Sequence, residues 1–266
     1  MNNIEYFNIG KEYLLGFDQV TEKMIDSQLN EWKSRKVNTL PDVYKAILNC
    51  AKNRQGMPNS IGKIENIQHL LFDFDHKKVL AKYVAWDALF DSIDQDEYTP
   101  PGRMEKYNNK NFWVIYCKAI VSAAEFLQLF DKYDDFDKFI KGFWASEYTK
   151  LSLPLILSEN IFGFGFALAC DFIKENISPD FLKPDTHIRD IAIGLGLTKS
   201  KNDFVVYRDV EAYCRKINKL PYEVDKLFWL IGSGNFYLFD TQIKSDKFAF
   251  IEKIKKLNAA SRCTQY

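Results

Sequence analysis

Apolar residues recur along this chain at three- and four-residue spacing almost from end to end, and stretches alternating strictly between apolar and polar are short. That period aligns side chains on one face of an α-helix, so the sequence predicts a nearly all-α protein. Residues 17–36 have the charge mix and apolar spacing of an amphipathic helix. Leu40-Pro41-Asp42 marks a fresh start, and 43–52 reads as a short helix. Residues 53–63 form the first loop, an ordinary connection with a ligand-contacting segment as the alternative; its Ser60-Ile61-Gly62-Lys63 lacks the frame of a nucleotide-binding loop. Helices are predicted over 64–72 and 76–93. Between them Asp73-Phe74-Asp75 offers two carboxylates, of which Asp75 is better read as a cap than as a catalytic acid or base.

Residues 91–111, with Pro100-Pro101-Gly102 inside, read as a long exposed excursion. The most apolar segment is 112–130, where the small residues Ala119, Ser122, Ala123 and Ala124 permit close packing; it is expected to be the central helix. Residues 132–150 carry Tyr133, Phe136, Phe139, Phe143, Trp144 and Tyr148, expected mainly in the core, with one or two rings able to line a pocket. Further helices are predicted over 207–220, ended by Pro221, then over 224–231 and 247–257, with a frayed tail from 258. The turn Gly232-Ser233-Gly234-Asn235 reads equally as a helix stop or a phosphate-binding turn.

A chain of 266 residues, 47% of them hydrophobic, can bury a large core. No apolar run approaches the roughly 20 residues that span a bilayer. The N-terminus lacks a basic start and an apolar core, so no membrane association and a cytoplasmic location are expected. Lys plus Arg and Asp plus Glu number 36 each, so no overall positive charge points to nucleic acid, although residues 183–219 hold eight Lys/Arg against five Asp/Glu. Five scattered cysteines and three separated histidines show no metal-ligand spacing, so neither a metal nor a cofactor is expected.

The chain's chemistry concentrates in residues 158–197. A helix end, the turn Gly163-Phe164-Gly165 and a second helix over 166–176 lead into a loop that carries Asp185 to the start of a third helix. Two glycines spaced by one apolar residue let the backbone approach a partner and aim amide N–H groups at it, and the natural ligand of such a turn is an anion. Asp185 is read either as a simple helix cap or as a reacting carboxylate at the positive end of a helix dipole.

Ile161-Phe162-Gly163-Phe164-Gly165, then Ala169, then Lys183-Pro184-Asp185-Thr186-His187-Ile188 resemble the helix-hairpin-helix and Gly/Pro-Asp loop of the endonuclease III-like DNA glycosylases. The resemblance covers residues 158–197 and implies two helical lobes with a cleft between them. Residues 1–60 with 186–266 would form one lobe, and 61–185 a central bundle containing the hairpin. It implies Asp185 as the catalytic carboxylate, with Gly163, Phe164, Gly165, Lys183, His187 and Arg189 binding DNA. Ala167, 18 residues before Asp185, stands where bifunctional members carry a nucleophilic lysine. A monofunctional enzyme using water is therefore expected, with Lys183 as the alternative nucleophile for a lyase. Phe162 replaces the proline of the family's hairpin. Only Cys263 lies where several relatives bind an iron–sulfur cluster, so none is expected. The implied partner of this monomeric protein is double-stranded DNA holding a damaged or modified base. That base would be flipped out and excised to leave an abasic site, in repair or in defence against modified phage DNA. The alternative is a non-catalytic DNA-binding module that keeps the hairpin.

Overall fold

The fold is that of a computed structural model, which describes residues 4–34, 37–54 and 56–263, excluding the side chains of 4, 5 and 261–263. Helix makes up 66% and strand 2%, so the chain is all-α as its periodicity predicts. The first helix, α1 (Ile4–Leu15), precedes the segment in which a helix was expected. Within 17–36 the α-helix is only α2 (Glu22–Leu29), capped by Thr21. α3 (Leu40–Ala51) begins where Leu40-Pro41-Asp42 placed it: Thr39 Oγ1 accepts the Asp42 N–H at 3.2 Å and donates to the Asp42 carboxylate at 2.7 Å. Such a cap contributes about 1 kcal/mol.

The loop expected over 53–63 holds a short helix, α4 (Met57–Ile61); Gln55 lies outside the described residues. The helix expected over 64–72 is a single 3-10 turn at Ile64–Ile67. Phe72, Asp73 and Phe74 then take positive φ in succession, which no right-handed helix tolerates. Asp75 is a cap, accepting the N–H groups of Lys77 and Lys78 at 3.1 Å each. The helix expected over 76–93 is two, α5 (His76–Lys82) and α6 (Trp86–Asp94), because Tyr83 goes extended and buries its ring.

Asn111 Oδ1 starts α7 (Phe112–Leu127) by accepting the Trp113 and Val114 N–H groups. Next come α8 (Tyr133–Gly142) and α9 (Glu147–Asn160), the latter opened by a reciprocal cap between Ser146 and Thr149. α10 (Phe166–Asn176), α11 (Thr186–Gly194), α12 (Asp203–Lys216) and α13 (Pro221–Ser233) follow. Gly234 ends α13 in the left-handed conformation. Two-residue strands, β1 (Asn235–Phe236) and β2 (Thr241–Gln242), pair antiparallel with Asn235 opposite Gln242. α14 (Lys247–Cys263) runs through the expected frayed tail, where Ala259-Ala260 favours helix; residues 264–266 lie outside the described residues.

The chain divides into two compact units, Lys36–Phe172 and a discontinuous one made of Met1–Arg35 with Ile173–Tyr266. The divisions at 35/36 and 172/173 stand where the sequence placed 60/61 and 185/186. In the contiguous unit α7 is central, packed by α3, α4, α5, α6 and α9. Two buried tyrosines lock α3 to α7: Tyr44 donates to the Ile120 carbonyl at 2.9 Å and Tyr116 to the Leu48 carbonyl at 3.1 Å. That pairing holds 40–51 in this unit. Rings of Phe126, Phe130, Phe136, Phe139 and Phe143 form a run of edge and tilted contacts with centroids 5.2–6.1 Å apart, whereas Tyr148 stands in solvent. In the discontinuous unit α13 is central, buried on nearly every side and packed by α1, α2, α11, α12 and α14.

Candidate functional site

The turn between α9 and α10 belongs to the contiguous unit. Gly163 sits at φ +70°, which permits the reversal, and a Cβ there would crowd Ile115. Phe164 is core rather than contact surface: its ring is 1% exposed, with its centroid 6.4 Å from that of Phe172, and its N–H donates to the Ile161 carbonyl at 3.1 Å. Only the backbone of Phe164 remains for any ligand. The Phe162 N–H is also used, donating to Ser122 Oγ at 2.8 Å. The N–H groups of Gly163 and Gly165 form no hydrogen bond among the described residues, and the Gly165 Cα faces open space. Two of the turn's amides are thus available and two are spent. Ala167, half-buried on α10, brings no nucleophile.

The loop carrying Asp185 belongs to the discontinuous unit, together with Lys183, His187 and Arg189. Asp185 is the N-cap of α11, its Oδ1 accepting the His187 N–H at 2.8 Å and the Ile188 N–H at 3.1 Å. Charge-assisted bonds of this kind fix the carboxylate's orientation through Oδ1. Oδ2 takes no hydrogen bond among the described residues. Pro184 is buried behind it.

Neighbouring cations are less free than their sequence suggests. Arg189 pairs with Asp203 at 3.1 Å and donates to Thr186 Oγ1 at 3.3 Å. His187 lies against Gly232 so closely that a Cβ on Gly232 would collide with the imidazole, and its Nδ1 is buried with no hydrogen-bond partner. Burial, the largest influence, pulls its pKa below the ordinary 6.5. One side of the imidazole therefore packs on α13.

Beneath the Asp185 loop lies a charge network that sequence reasoning missed. The Lys183 N–H donates to Asp225 Oδ2, and the Lys174 ammonium meets Asp225 Oδ1 at 2.9 Å and Glu175 at 3.2 Å. Glu175 in turn holds Lys226 at 3.0 Å, and Lys226 donates to the Tyr237 hydroxyl at 2.8 Å. Tyr237 donates onward to Glu31, and the rings of Tyr222, Trp229 and Tyr237 lie 5.1–5.9 Å from the Lys226 ammonium. Asp225 is 2% exposed. Burial pushes its carboxyl above the usual range, opposed by Lys174 and reinforced by Asp185, while burial draws the Lys226 ammonium down. One signal was present: a helix apolar on all sides cannot keep the adjacent pair Asp225-Lys226 in water.

Among the described residues no group of three or more His, Cys, Asp or Glu comes together as metal ligands would, and no helix is long and apolar enough to cross a membrane. Compared with protein-family models, curated proteins and solved structures, the chain matches none.

Proposed function

We propose that the chain is a monofunctional DNA glycosylase, with α9, its turn and α10 as a helix-hairpin-helix and with Asp185 as the reacting carboxylate. The observation that carries this reading is the combination of Gly163-Phe164-Gly165 with Lys183-Pro184-Asp185-Thr186-His187, Asp185 standing 18 positions after Ala167. Two structural features agree with it. The Gly163 and Gly165 amides stand unused at a sharp turn, where a backbone phosphate would be held without reading sequence. Asp185 is anchored through Oδ1, leaving Oδ2 to face a substrate.

The chemistry assigned to Asp185 is stabilisation of the positive charge that develops on the sugar as the bond between C1′ and the base breaks. The base departs with the bonding electrons. Water adds to C1′ and gives up a proton, which balances the charge on the released base, and the product is an abasic sugar. With a methyl group at Ala167, no amine is supplied from that position for a covalent sugar adduct.

A panel of duplexes carrying damaged and naturally hypermodified bases, analysed by mass spectrometry of released bases, tests the proposal. The native chain is expected to release a free base and leave an alkali-labile site. Asp185→Asn keeps the cap but is expected to lose base release by at least about a hundredfold while still binding DNA. Full activity in that variant rejects the role of Asp185. The rival reading, a DNA-binding module without turnover, is favoured by the cap bonds alone, which account for Asp185 structurally; it requires binding with no base released across the panel. A lyase acting through Lys183 would instead be trapped by borohydride as a covalent adduct lost in Lys183→Ala.

A further inference from the structure

α7 faces the α9–α10 turn with one stripe of side chains. Ile115, Lys118 and Ser122 are spaced three and four residues apart and so share a face of the helix. Each meets the turn: Ile115 limits the space at Gly163, Ser122 Oγ accepts the Phe162 N–H at 2.8 Å, and the Lys118 ammonium lies 5.2 Å from the centre of the Phe162 ring. The same ammonium lies 4.9 Å from the Trp86 ring and 3.3 Å from Asn109 Oδ1. Two aromatic faces and an amide oxygen orient this cation, yet none carries a negative charge. Among the described residues Lys118 makes no ion pair, although the chain holds as many carboxylates as cations and Lys174, Lys226 and Arg189 are all paired.

An ammonium that is partly desolvated between rings, fixed in place and lacking a counter-charge is a site made for an anion. Its position decides which anion. Phe162, the ring over which it sits, is 48% exposed and immediately precedes Gly163, whose amide is unused. We propose that Lys118 binds a phosphodiester of the DNA backbone beside the turn, so that one phosphate is met by turn amides and the next by a cation supplied from α7. This rests on the reading of the turn as a DNA-binding element and adds to it a residue 44 positions upstream of Phe162 that the local motif does not contain. Trp86 and Phe162 act here as positioning residues, limiting the rotamers of a side chain that would otherwise sweep a wide arc.

Binding of a short fluorescein-labelled, unmodified duplex, measured by anisotropy over roughly 50–200 mM salt, tests this independently of any catalysis. Lys118→Gln and Lys118→Met, the latter keeping an apolar stem between the rings, are each expected to lower the slope of log affinity against log salt by about 0.9 and to weaken binding at low salt roughly three- to tenfold. Lys118→Arg is expected to retain both. Thermal melts without DNA establish that the variants are folded. A folded Lys118→Met with native slope and affinity overturns the assignment of Lys118 and leaves the DNA reading intact. No binding by the native chain at any salt overturns the DNA reading, and the proposed ligand of Lys118 with it.

Discussion

His187 couples the stability of the fold to pH. Its ring is held against Gly232 with Nδ1 unpartnered, and burial lowers its pKa. Lys247 and Lys183 push the same way, against Asp185 and Asp190. The unfolded chain binds this proton near 6.5 and the folded chain resists it. Stability from the neutral ring is therefore complete above 6.5 and is lost as pH falls below it toward the lower folded value. His76 is lowered in the same direction, while Asp203 and Asp225, raised by burial, act oppositely. The thermal midpoint is expected to drop between about pH 7 and 5, and less steeply in His187→Gln than in the native chain. Equal slopes would place the acid sensitivity elsewhere. Asp75 was legible in advance because a cap depends only on local spacing; the burial of Phe164 and the pairing of Arg189 with Asp203, 14 residues on, depend on how successive elements pack and were not.

At the scale of elements, the join between α10 and α13 is made by charge. Removing one partner of a buried pair leaves the other uncompensated, so Lys174→Met is expected to cost about 3–5 kcal/mol. Lys174→Met with Asp225→Asn removes both charges and still leaves an acceptor for the Lys183 N–H, so it should cost less than the sum of its single changes. Denaturant titration of the three variants checks this, and a single variant as stable as the native chain would show that the network contributes nothing. Elements whose pattern was unbroken, such as α3, α7 and α12, were readable within a few residues. The loss of α-helix within 64–72 and the break at 83–85 were not, because a positive φ at Phe72 and an extended Tyr83 are imposed by packing rather than by propensity. β1 and β2, at two residues each, are too short to leave any period.

For the whole molecule, helical class followed from periodicity alone, whereas the grouping of helices did not. Tyr13 and Asp246, 233 residues apart, hold α1 to the start of α14: Tyr13 donates to the Asp246 carbonyl at 3.0 Å and accepts its N–H at 3.2 Å. Nothing in a local window signals such a pair. Residues 36–172, a contiguous unit with its own buried helix α7, are expected to unfold cooperatively when expressed alone. Residues 173–266 should require 1–35 to do so, since α1 and α2 pack on α13. Circular dichroism melts of the fragments, separate and mixed, measure this.

The same discontinuity sets a timetable during synthesis. The segment 36–172 can complete its core as it leaves the ribosome, but α1 is made well before α13 and α14, the helices it packs on. At about 5–20 residues per second, the delay across those 233 residues is on the order of 10–50 s. For that interval the apolar face of α1, with Phe7 and Leu14 later covered, is without its native partners.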